Sequence, residues 1–460
     1  MPSNETDSTA APDDISTNDP EAEYLAQLPV RDYENADFKV LVTTAFANYF
    51  DAEEDTTDVV EKSTFLRNGI VEDRYGVMLQ FKAMDGNMSG SAAFVTEVRA
   101  SVDGNMPYDL VVAQSYYMMP LSTEGYLQDL YGSQYLNFDK EWYHSGINRS
   151  ATINEHMYGA SGDYVFSQIA TVMGLLYNKT MYTALNYEED IYQLVRDHEW
   201  TFEQLNAMVT DVYQDLDNNY YVSAGDRFGL TGPPQMATSL LSGMGNRLLN
   251  FDDDGLPTIE GYYGDRLLNS FDKVLTLYKN DGVTWDNANE RSINLLVQNQ
   301  ALFCCLTMHY LVTPEVRNCQ YKIGIVPMPL YERGDEYLSA MQRWEMFFVP
   351  RGADFERASI VTEYLNYVSY TKVLPEYWDA ALLLRGSEAV DDAEMMKLIR
   401  STMYFDTAHI FKNYFPGFDD LAGSLINLNS NSLTSKWNIN KVNFEDGLDL
   451  LLEAYGVTKK

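Results

Sequence analysis

Apolar and polar positions in the first quarter of the chain alternate between two periods, and they predict three strands separated by two helices. Residues 38–43, 77–81 and 108–112 are short apolar runs, rich in β-branched side chains. Between these runs, residues 59–75 and 92–102 carry apolar side chains at nearly helical spacing. A series of strand, helix, strand, helix and strand predicts a parallel sheet with right-handed crossovers.

A second α/β block is predicted from Tyr164 onward. Thr201 precedes a run whose apolar residues share one helical face, and Gln204 stands three positions later. This spacing predicts a helix that starts at Thr201 with a capping box. Residues 263–285 and 288–310 continue helical patterns, so we expect helices there as well.

The last third of the chain mixes strand and helix signals. Residues 321–326 and 344–349 are apolar runs that predict strands, and Pro350 ends the second strand because proline has no N–H for the ladder. Asp354 stands just before an amphipathic run and is the expected N-cap of a helix. Beyond Pro375 the pattern is mostly helical.

Size and charge narrow the function classes. The chain has 460 residues, which exceeds the length at which single cores usually stop growing, so two domains are expected. Lys and Arg number 32 against 68 Asp and Glu, which gives a formal net charge of −36. Nucleic acids and anionic lipid surfaces need a cationic face. We therefore expect no nucleic-acid partner.

The N-terminal region is polar. Residues 1–22 are rich in Ser, Thr, Asp, Glu and Pro, and the first basic residue is Arg31. Such a composition buries too little apolar area to order itself, so residues 1–35 are expected to form a disordered acidic tether. We expect a signal peptide and a lipid-bearing cysteine to precede it in the natural protein. The alternative is an ordinary disordered tail of a cytosolic protein. No run of about 18 apolar residues occurs in the sequence.

The three cysteines match neither a disulfide scaffold nor a zinc site, because both need repeated spaced pairs. Cys304 and Cys305 are adjacent within an apolar run, where cysteine behaves as a small buried hydrophobe. A bond from this pair to Cys319 stays open as an alternative.

Catalytic motifs are missing from the sequence. The five histidines stand apart, and no HExxH, GxSxG, P-loop or GxGxxG pattern occurs. The chain is therefore not expected to be an enzyme. Paired carboxylates are plentiful, so a secreted carbohydrate-active enzyme that uses two acids remains the alternative.

Four motifs in fixed order carry a family resemblance. Gly-Leu-Leu-Tyr-Asn-Lys-Thr occupies residues 174–180, His-Glu-Trp-Thr-Phe-Glu-Gln-Leu residues 198–205, and Gly-Asp-Arg-Phe-Gly-Leu residues 225–230. Ile-Gly-Ile-Val-Pro-Met-Pro-Leu follows at residues 323–330. Together they resemble the family 1 extracellular solute-binding proteins of bacterial ABC importers.

The resemblance implies an α/β fold of the type II periplasmic-binding-protein-like kind, in which hinge-connected lobes enclose a ligand cleft. Such proteins cross between lobes about three times, and here the crossings are expected near residues 148, 315 and 375. Lobe 1 would then comprise residues 36–148 and 315–375. Lobe 2 would comprise residues 149–314 and 376–460.

Aromatic side chains in apparent loops are the candidate ligand contacts. Aromatic residues make up 13% of the chain, and Tyr alone numbers 34. Sugar rings stack their C–H faces on aromatic planes, whereas their hydroxyl groups need polar side chains nearby. The ligand-binding candidates are Tyr116, Trp142, Tyr143 and Trp344, with Gln114 and Asp163 as polar partners. Alternatively, these aromatic residues are ordinary core or surface residues.

One acidic loop is a candidate calcium site. Asp215, Asp217 and Asn219 occupy positions one, three and five of a twelve-residue window that closes on Asp226, with the carbonyl of Tyr221 at position seven. An EF-hand loop has Gly at position six and Glu at twelve, so this chain departs from the pattern twice. The alternative is a solvated acidic turn.

The function implied by the resemblance is capture of a small soluble ligand, with an oligosaccharide as the first expectation, by hinge closure and delivery to an ABC permease. Peptides, polyamines and sugar phosphates are alternative ligands of the same fold. The expected protein is an extracellular, monomeric lipoprotein that meets the membrane only through its anchor and needs no cofactor, apart from the candidate structural calcium.

Overall fold

The computed structural model of the protein describes residue 24 and residues 27–285, 289–341, 345–382, 389–418 and 421–457. Its strands are β1 Ala36–Thr43, β2 Val77–Met84, β3 Leu110–Gln114, β4 Met173–Asn178, β5 Phe228–Gly232, β6 Asn250–Phe251, β7 Pro257–Thr258, β8 Val283–Trp285, β9 Ala301–Thr307, β10 Ile323–Val326, β11 Ser339–Ala340, β12 Glu345–Phe348 and β13 Met403–Tyr404.

The helices alternate with these strands. They are α1 Val59–Tyr75, α2 Ser91–Asp103, α3 Ser115–Met118, α4 Pro120–Thr123, α5 Ser145–Ala151, α6 Phe166–Thr171, α7 Lys179–Ala184, α8 Ile191–Arg196, α9 Phe202–Thr210, α10 Gln235–Gly243, α11 Asp265–Leu277, α12 Asn289–Val297, α13 Pro314–Arg317, α14 Phe355–Val368, α15 Leu374–Leu382, α16 Ala389–Ser401, α17 Thr407–Ile410, α18 Gly423–Asn427 and α19 Leu433–Ala454. Short 3-10 turns cover Ala47–Tyr49, Leu130–Gly132, Met308–Val312 and Lys412–Tyr414.

The first sheet has the strand order β12-β3-β1-β2. β1 pairs in parallel with both β2 and β3, and α1 and α2 form the two crossovers. β12 closes the sheet on the other side by pairing antiparallel to β3. The strand-helix series predicted from the start of the sequence is confirmed.

Local signals at both ends of α1 explain its length. The side chain of Asp58 accepts hydrogen bonds from the backbone N–H groups of Val60 and Glu61, which would otherwise lack partners at the helix start. Gly76 ends the helix in the left-handed conformation with φ of 57°. β2 begins at the next residue, so the turn between helix and strand is as short as it can be.

The second sheet has the order β10-β4-β9-β5-β8. β5 is parallel to β8 and β9, whereas β4 runs antiparallel to β9 and β10 antiparallel to β4. All seven residues of β9 are buried. The helical prediction for residues 288–310 is therefore wrong over β9, and that for residues 263–285 is wrong over β8. A short run that is apolar throughout has no period to distinguish a central strand from a buried helix.

The chain moves between the two sheets at three places. It leaves the first sheet after β3 and enters the second at β4, and it returns to the first sheet between β10 and β12. The third crossing lies between α14, which packs on α1 beside the first sheet, and α16, which packs on β10 of the second sheet. Residues 315–326 were predicted to belong to the first lobe with a crossing near residue 315. That prediction is corrected because β10 pairs with β4, which places the crossing after Val326.

The chain joins the folded body before the predicted residue 36. The side chains of Tyr24 and Leu28 are buried, and Arg31 forms an ion pair with Glu356. The predicted tether boundary is corrected accordingly, because apolar and aromatic contacts order residue 24 and residues 27–35. The remainder of the predicted tether lies outside the described residues.

Two predicted helix starts have different outcomes. Asp354 caps α14 through a hydrogen bond from the backbone N–H of Arg357, as expected. Thr201 is the N-cap of α9, but its side chain makes no capping hydrogen bond. The capping-box prediction is wrong because the chain is held there by backbone pairing, in which the N–H of Phe202 donates to the carbonyl of Leu330.

The three cysteines are free thiols, with Cys304 and Cys305 buried in β9 and Cys319 half-buried. In the described part of the chain, no helix has both the length and the apolar character needed to cross a membrane.

Candidate functional site

Residues that follow the carboxyl ends of a strand in each of the two sheets meet. Phe46 lies three residues past β1 of the first sheet, and His309 lies two residues past β9 of the second. Their rings meet edge-on with centroids 6.2 Å apart. Ligands of α/β proteins bind outside the carboxyl ends of the strands. We call the space bounded by these ends the cleft.

The first-sheet side of the cleft offers an aromatic surface. Phe46 stacks on Tyr49, with ring centroids 5.5 Å apart and planes inclined by 10°. The backbone of Phe46 is left-handed, with φ of 61°, which is uncommon for a bulky residue. Such strained backbone conformations occur most often at functional sites. Half-exposed Gln114 and Tyr116 continue this side from the end of β3.

The second-sheet side combines rings with hydrogen-bonding atoms. His309 and Tyr310 are half-exposed and lie edge-on, with centroids 5.8 Å apart. Burial lowers the pKa of His309, so its imidazole is neutral at pH 7. Its Nδ1 atom is buried and has no hydrogen-bond partner among the described residues. A neutral imidazole with a spare nitrogen can exchange a hydrogen bond with a hydroxyl group.

A cavity of about 380 Å³ lies in the second-sheet part of the structure, beginning at the end of β5. Pro234, Gln235, Met341 and Phe405 contribute to its wall. Asp406 lines it too, but its oxygens accept the backbone N–H groups of Leu248 and Ala408, and burial raises its pKa. The wall of this cavity thus combines apolar side chains with polar ones.

A larger cavity of about 1380 Å³ lies elsewhere, and we call it the back cavity. It is bounded by residues 138–145 and 370–378, which belong to the connections between sheets, and by residues 195–198 and 394–403. None of the strand-end residues that form the cleft lines it.

A buried polar chain runs from the cleft toward the back cavity. Thr43, the last residue of β1, donates to Oε1 of Glu345 (2.6 Å), and Ser167 donates to the other carboxylate oxygen. Gln168, beside Ser167, donates to the backbone carbonyl of Glu345 and accepts from Ser161. The cleft is thereby connected to the segment that joins the two sheets.

The chain continues through His144 to the wall of the back cavity. Nδ1 of His144 lies 2.6 Å from Oγ of Ser161, and Nε2 donates to Oδ1 of Asp163 (2.9 Å). Arg400 donates from Nε and from a terminal nitrogen to the two oxygens of Asp163, at 3.0 and 2.6 Å. Burial, as the largest effect, lowers the pKa of His144, while Asp163 opposes it.

The structure separates the predicted ligand contacts into two groups. Tyr116 and Gln114 lie at the strand ends, where Nζ of Lys412 approaches the Tyr116 ring to 5.9 Å. Trp344 lies outside the described residues. The other three predicted residues are buried.

Trp142, Tyr143 and Asp163 lie inside the protein rather than at the cleft, and they form hydrogen bonds there. Trp142 is 7% exposed, and its Nε1 donates to Glu363 over 3.2 Å. The hydroxyl of Tyr143 donates to the same carboxylate. Asp163 is fully buried, and both of its oxygens are taken by Arg400 and His144. The prediction of ligand contacts for these three residues is corrected, because they are buried and their polar atoms are already hydrogen-bonded inside the protein, although Tyr143 lines the back cavity.

The sequence did not identify Phe46, His309 or Tyr310. Each of them lies two or three residues after the end of a strand, and this position could have marked them as candidate ligand contacts. It failed for His309 because the run that became β9 had been assigned to a helix.

The predicted calcium loop gathers its acidic side chains. Oxygen atoms of Asp215, Asp217 and Asp226 lie within 4.8 Å of one another. Asp226 is fully buried, and its Oδ1 atom has no hydrogen-bond partner among the described residues. Asn219 donates to Asp217 (2.8 Å), and its own Oδ1 accepts the N–H of Tyr221 (2.7 Å).

The first departure from the EF-hand pattern is explained by the backbone. Tyr220 stands at the position where Gly is usual, and its φ of 66° is the left-handed conformation that Gly would supply. The backbone N–H of Tyr220 donates to Asp215 and is the main reason that the pKa of Asp215 is lowered. The side chain of Tyr221 is 78% exposed, so only its carbonyl could serve a metal.

No protein-family model and no curated protein matches this sequence. Solved structures do match it. The cyclic α-maltosyl-1,6-maltose binding protein of Arthrobacter globiformis superposes with a TM-score of 0.59 at 11% identity, covering 90% of this chain and 100% of that one. A cyclo/maltodextrin-binding protein complexed with maltotetraose gives 0.56 at 11% identity, covering 93% and 100%.

The maltose-binding periplasmic protein MalE of Listeria monocytogenes, in complex with maltose, gives a TM-score of 0.54 at 14% identity, with 92% of this chain and 100% of that one covered. Similarity at this level of identity reports the fold. The chain has the mixed α/β, two-lobed, periplasmic-binding-protein-like fold that was expected from the sequence.

Proposed function

We propose that this protein captures an oligosaccharide outside the cell and delivers it to the permease of an ABC importer. The observation that carries the proposal is the pair Phe46 and His309, which brings an aromatic ring and a spare imidazole nitrogen from two different lobes into one cleft. Rings and hydrogen-bonding groups together suit a sugar. The fold and the sugar ligands of the similar structures support the same class of ligand.

The proposed mechanism is hinge closure. A ligand closes the lobes only by the difference between its affinities for the closed and open forms. Contacts to Phe46 on one lobe and to His309 and Tyr310 on the other supply that difference, since they are complete only when the lobes approach. The ligand is not chemically changed in this cycle.

The partners follow from this role. We propose a monomer that is held at the cell surface by an N-terminal lipid anchor and presents its closed form to the transmembrane subunits of the permease. The acidic surface, with a formal charge of −36, gives no support to a nucleic-acid partner.

The test uses maltose and maltotetraose as probes, because similar structures hold these sugars. Isothermal titration calorimetry should show saturable binding, and chromatography after long incubation should recover the sugar unchanged. Steady appearance of shorter sugars would support the secreted carbohydrate-active enzyme instead. If neither sugar binds, a library that includes peptides, polyamines and sugar phosphates identifies the ligand class or overturns the proposal.

We also propose that the loop from Asp215 to Asp226 holds a structural calcium ion. Three carboxylates from one loop, one of them buried with an unpartnered oxygen, form the all-oxygen donor set that Ca²⁺ prefers. The ion would neutralise the repulsion among Asp215, Asp217 and Asp226 and would fix the turn that precedes β5. Asn219 and the carbonyl of Tyr221 would complete the donor set.

A further inference from the structure

Tyr24 fixes the point where the N-terminal segment leaves the folded body. Its hydroxyl donates to Glu363 over 2.5 Å, and its ring packs against Trp142 and Tyr367 with centroids 4.6 and 5.4 Å away. The ammonium group of Lys140 lies 5.1 Å from the centre of the Tyr24 ring. Lys140 also lines the back cavity. The segment before Tyr24 therefore starts at the rim of that cavity.

The wall of the back cavity is rich in cationic side chains, although the protein as a whole is strongly acidic. Lys and Arg account for 32 of the 460 residues of the chain. By contrast, five of the 23 residues that line this cavity are cationic, namely Lys140, Arg196, Lys372, Lys397 and Arg400. Three lining residues are acidic. The wall thus collects positive charge that most of the surface lacks.

Part of this charge is not neutralised by the folded body. Arg196 is paired with Asp391 and Glu394, and Arg400 is paired with Asp163. Lys372 and Lys397 are exposed and make no ion pair within the described residues. A lysine ammonium group without a counter-ion in a cavity attracts carboxylates.

The segment that ends at this rim has the complementary charge. Residues 1–23 contain seven Asp and Glu and no Lys or Arg. Five of these acids fall within residues 13–23. Eleven residues can span up to about 36–40 Å when extended, which is enough to reach across the cavity from Tyr24.

We propose that the acidic segment of residues 13–23 docks in the back cavity of its own chain, with its carboxylates against Lys140, Lys372 and Lys397. Tyr24 holds the segment at the rim and makes the docking intramolecular, which raises the effective concentration of the segment.

Zero-length carbodiimide cross-linking of the full chain tests the docking without any ligand. The reagent joins carboxylates to lysine amines that are in contact, and trypsin leaves residues 1–31 as one peptide because Arg31 is the first basic residue. We expect cross-links from this peptide to Lys372 and Lys397. A mixture of isotope-labelled and unlabelled protein identifies links within one chain. In about 1 M salt, where the screening length falls to about 3 Å, the links should disappear.

Lys436 is the matched control, since it is exposed on α19 and does not line the back cavity. The K372E/K397E variant should lose the cross-links, and the K436E variant should keep them. Links spread equally over Lys436 and the two cavity lysines, or no intramolecular links at all, would overturn the docking.

Discussion

Arg400 donates hydrogen bonds to both carboxylate oxygens of Asp163, and this ion pair joins the segment that connects the two sheets to a helix beside the second sheet. Asp163 lies in the segment that leads from the first sheet into the second, whereas Arg400 lies on α16, which packs on β10. Asp163 is fully buried, so the guanidinium group is its main compensating charge. This ion pair ties the connection to the second lobe.

Replacing Arg400 by Met should destabilise the protein by about 3–5 kcal/mol, because removal of one partner leaves a buried charge without compensation. The free energy of unfolding in urea measures this loss. Arg196→Met is the matched control, since it breaks exposed ion pairs and should cost far less stability. Equal losses in the two variants would show that the Asp163 pair does not stabilise the connection.

The pH dependence of stability should report His144. Burial lowers the pKa of its imidazole, and the groups that face it are Asp163, Arg400, Ser161 and Gln168. In the unfolded chain the pKa is about 6.5, so the unfolded state binds the proton more readily. The stability that neutral His144 contributes is complete above that value and is lost as the pH falls toward the lowered pKa of the folded protein.

The H144N variant should therefore lose less stability than the parent between about pH 7 and pH 5, even if it is less stable throughout. Urea unfolding at several pH values measures the slope. H156N is the control, because that ring is 46% exposed. Identical slopes in the parent and H144N would contradict the assignment.

Substitution of Phe46 or His309 should weaken sugar binding. Phe46→Ala removes the ring that stacks on Tyr49, and a loss of about 1–2 kcal/mol corresponds to a Kd that rises about five- to thirtyfold. His309→Ala removes the spare nitrogen and should have an effect of similar size. Calorimetry on correctly folded variants measures both.

Phe65→Ala provides the matched control, since Phe65 lies on the exposed face of α1. Its affinity should equal that of the parent protein. Parent-like affinity in both F46A and H309A would place the sugar outside the cleft.

Calcium should raise the melting temperature of the parent protein, and a chelator should lower it. An ion that binds only the folded state adds about 2.7 kcal/mol when its concentration is a hundredfold above Kd. The D217N variant should lose this response, whereas D253N, an acidic position outside the loop, should retain it. Equal responses to Ca²⁺ and Mg²⁺, or none, would favour the solvated turn.

The sequence predicted the start of the fold more successfully than its middle. Residues 38–43, 77–81 and 108–112 alternate with two periodic helices, so both elements and their parallel pairing could be predicted. The strand β9 could not, because its seven residues are all buried and the run lacks the alternation that marks a half-exposed strand. That single error also concealed His309.

The site was harder to predict because its parts are brought together only by folding. Trp142 and Tyr143 follow a polar stretch and resemble loop aromatics, but Glu363, more than 200 positions later, turns them into buried hydrogen-bond donors. Gln114 and Tyr116 lie at the strand end where the sequence placed them, because they follow a strand that was predicted correctly, and their contact with a ligand stays a prediction. Sequence spacing thus located strand-end residues but could not reveal which loops become core.

Closure of the two lobes over the sugar is the central claim, and solution X-ray scattering measures it most directly. The radius of gyration is compared without ligand and at a saturating concentration of the sugar that calorimetry identifies. A decrease on binding, abolished in the F46A variant at the same sugar concentration, is the predicted result, because contacts on both sides of the cleft favour the closed form. An unchanged radius at proven saturation would contradict capture by hinge closure.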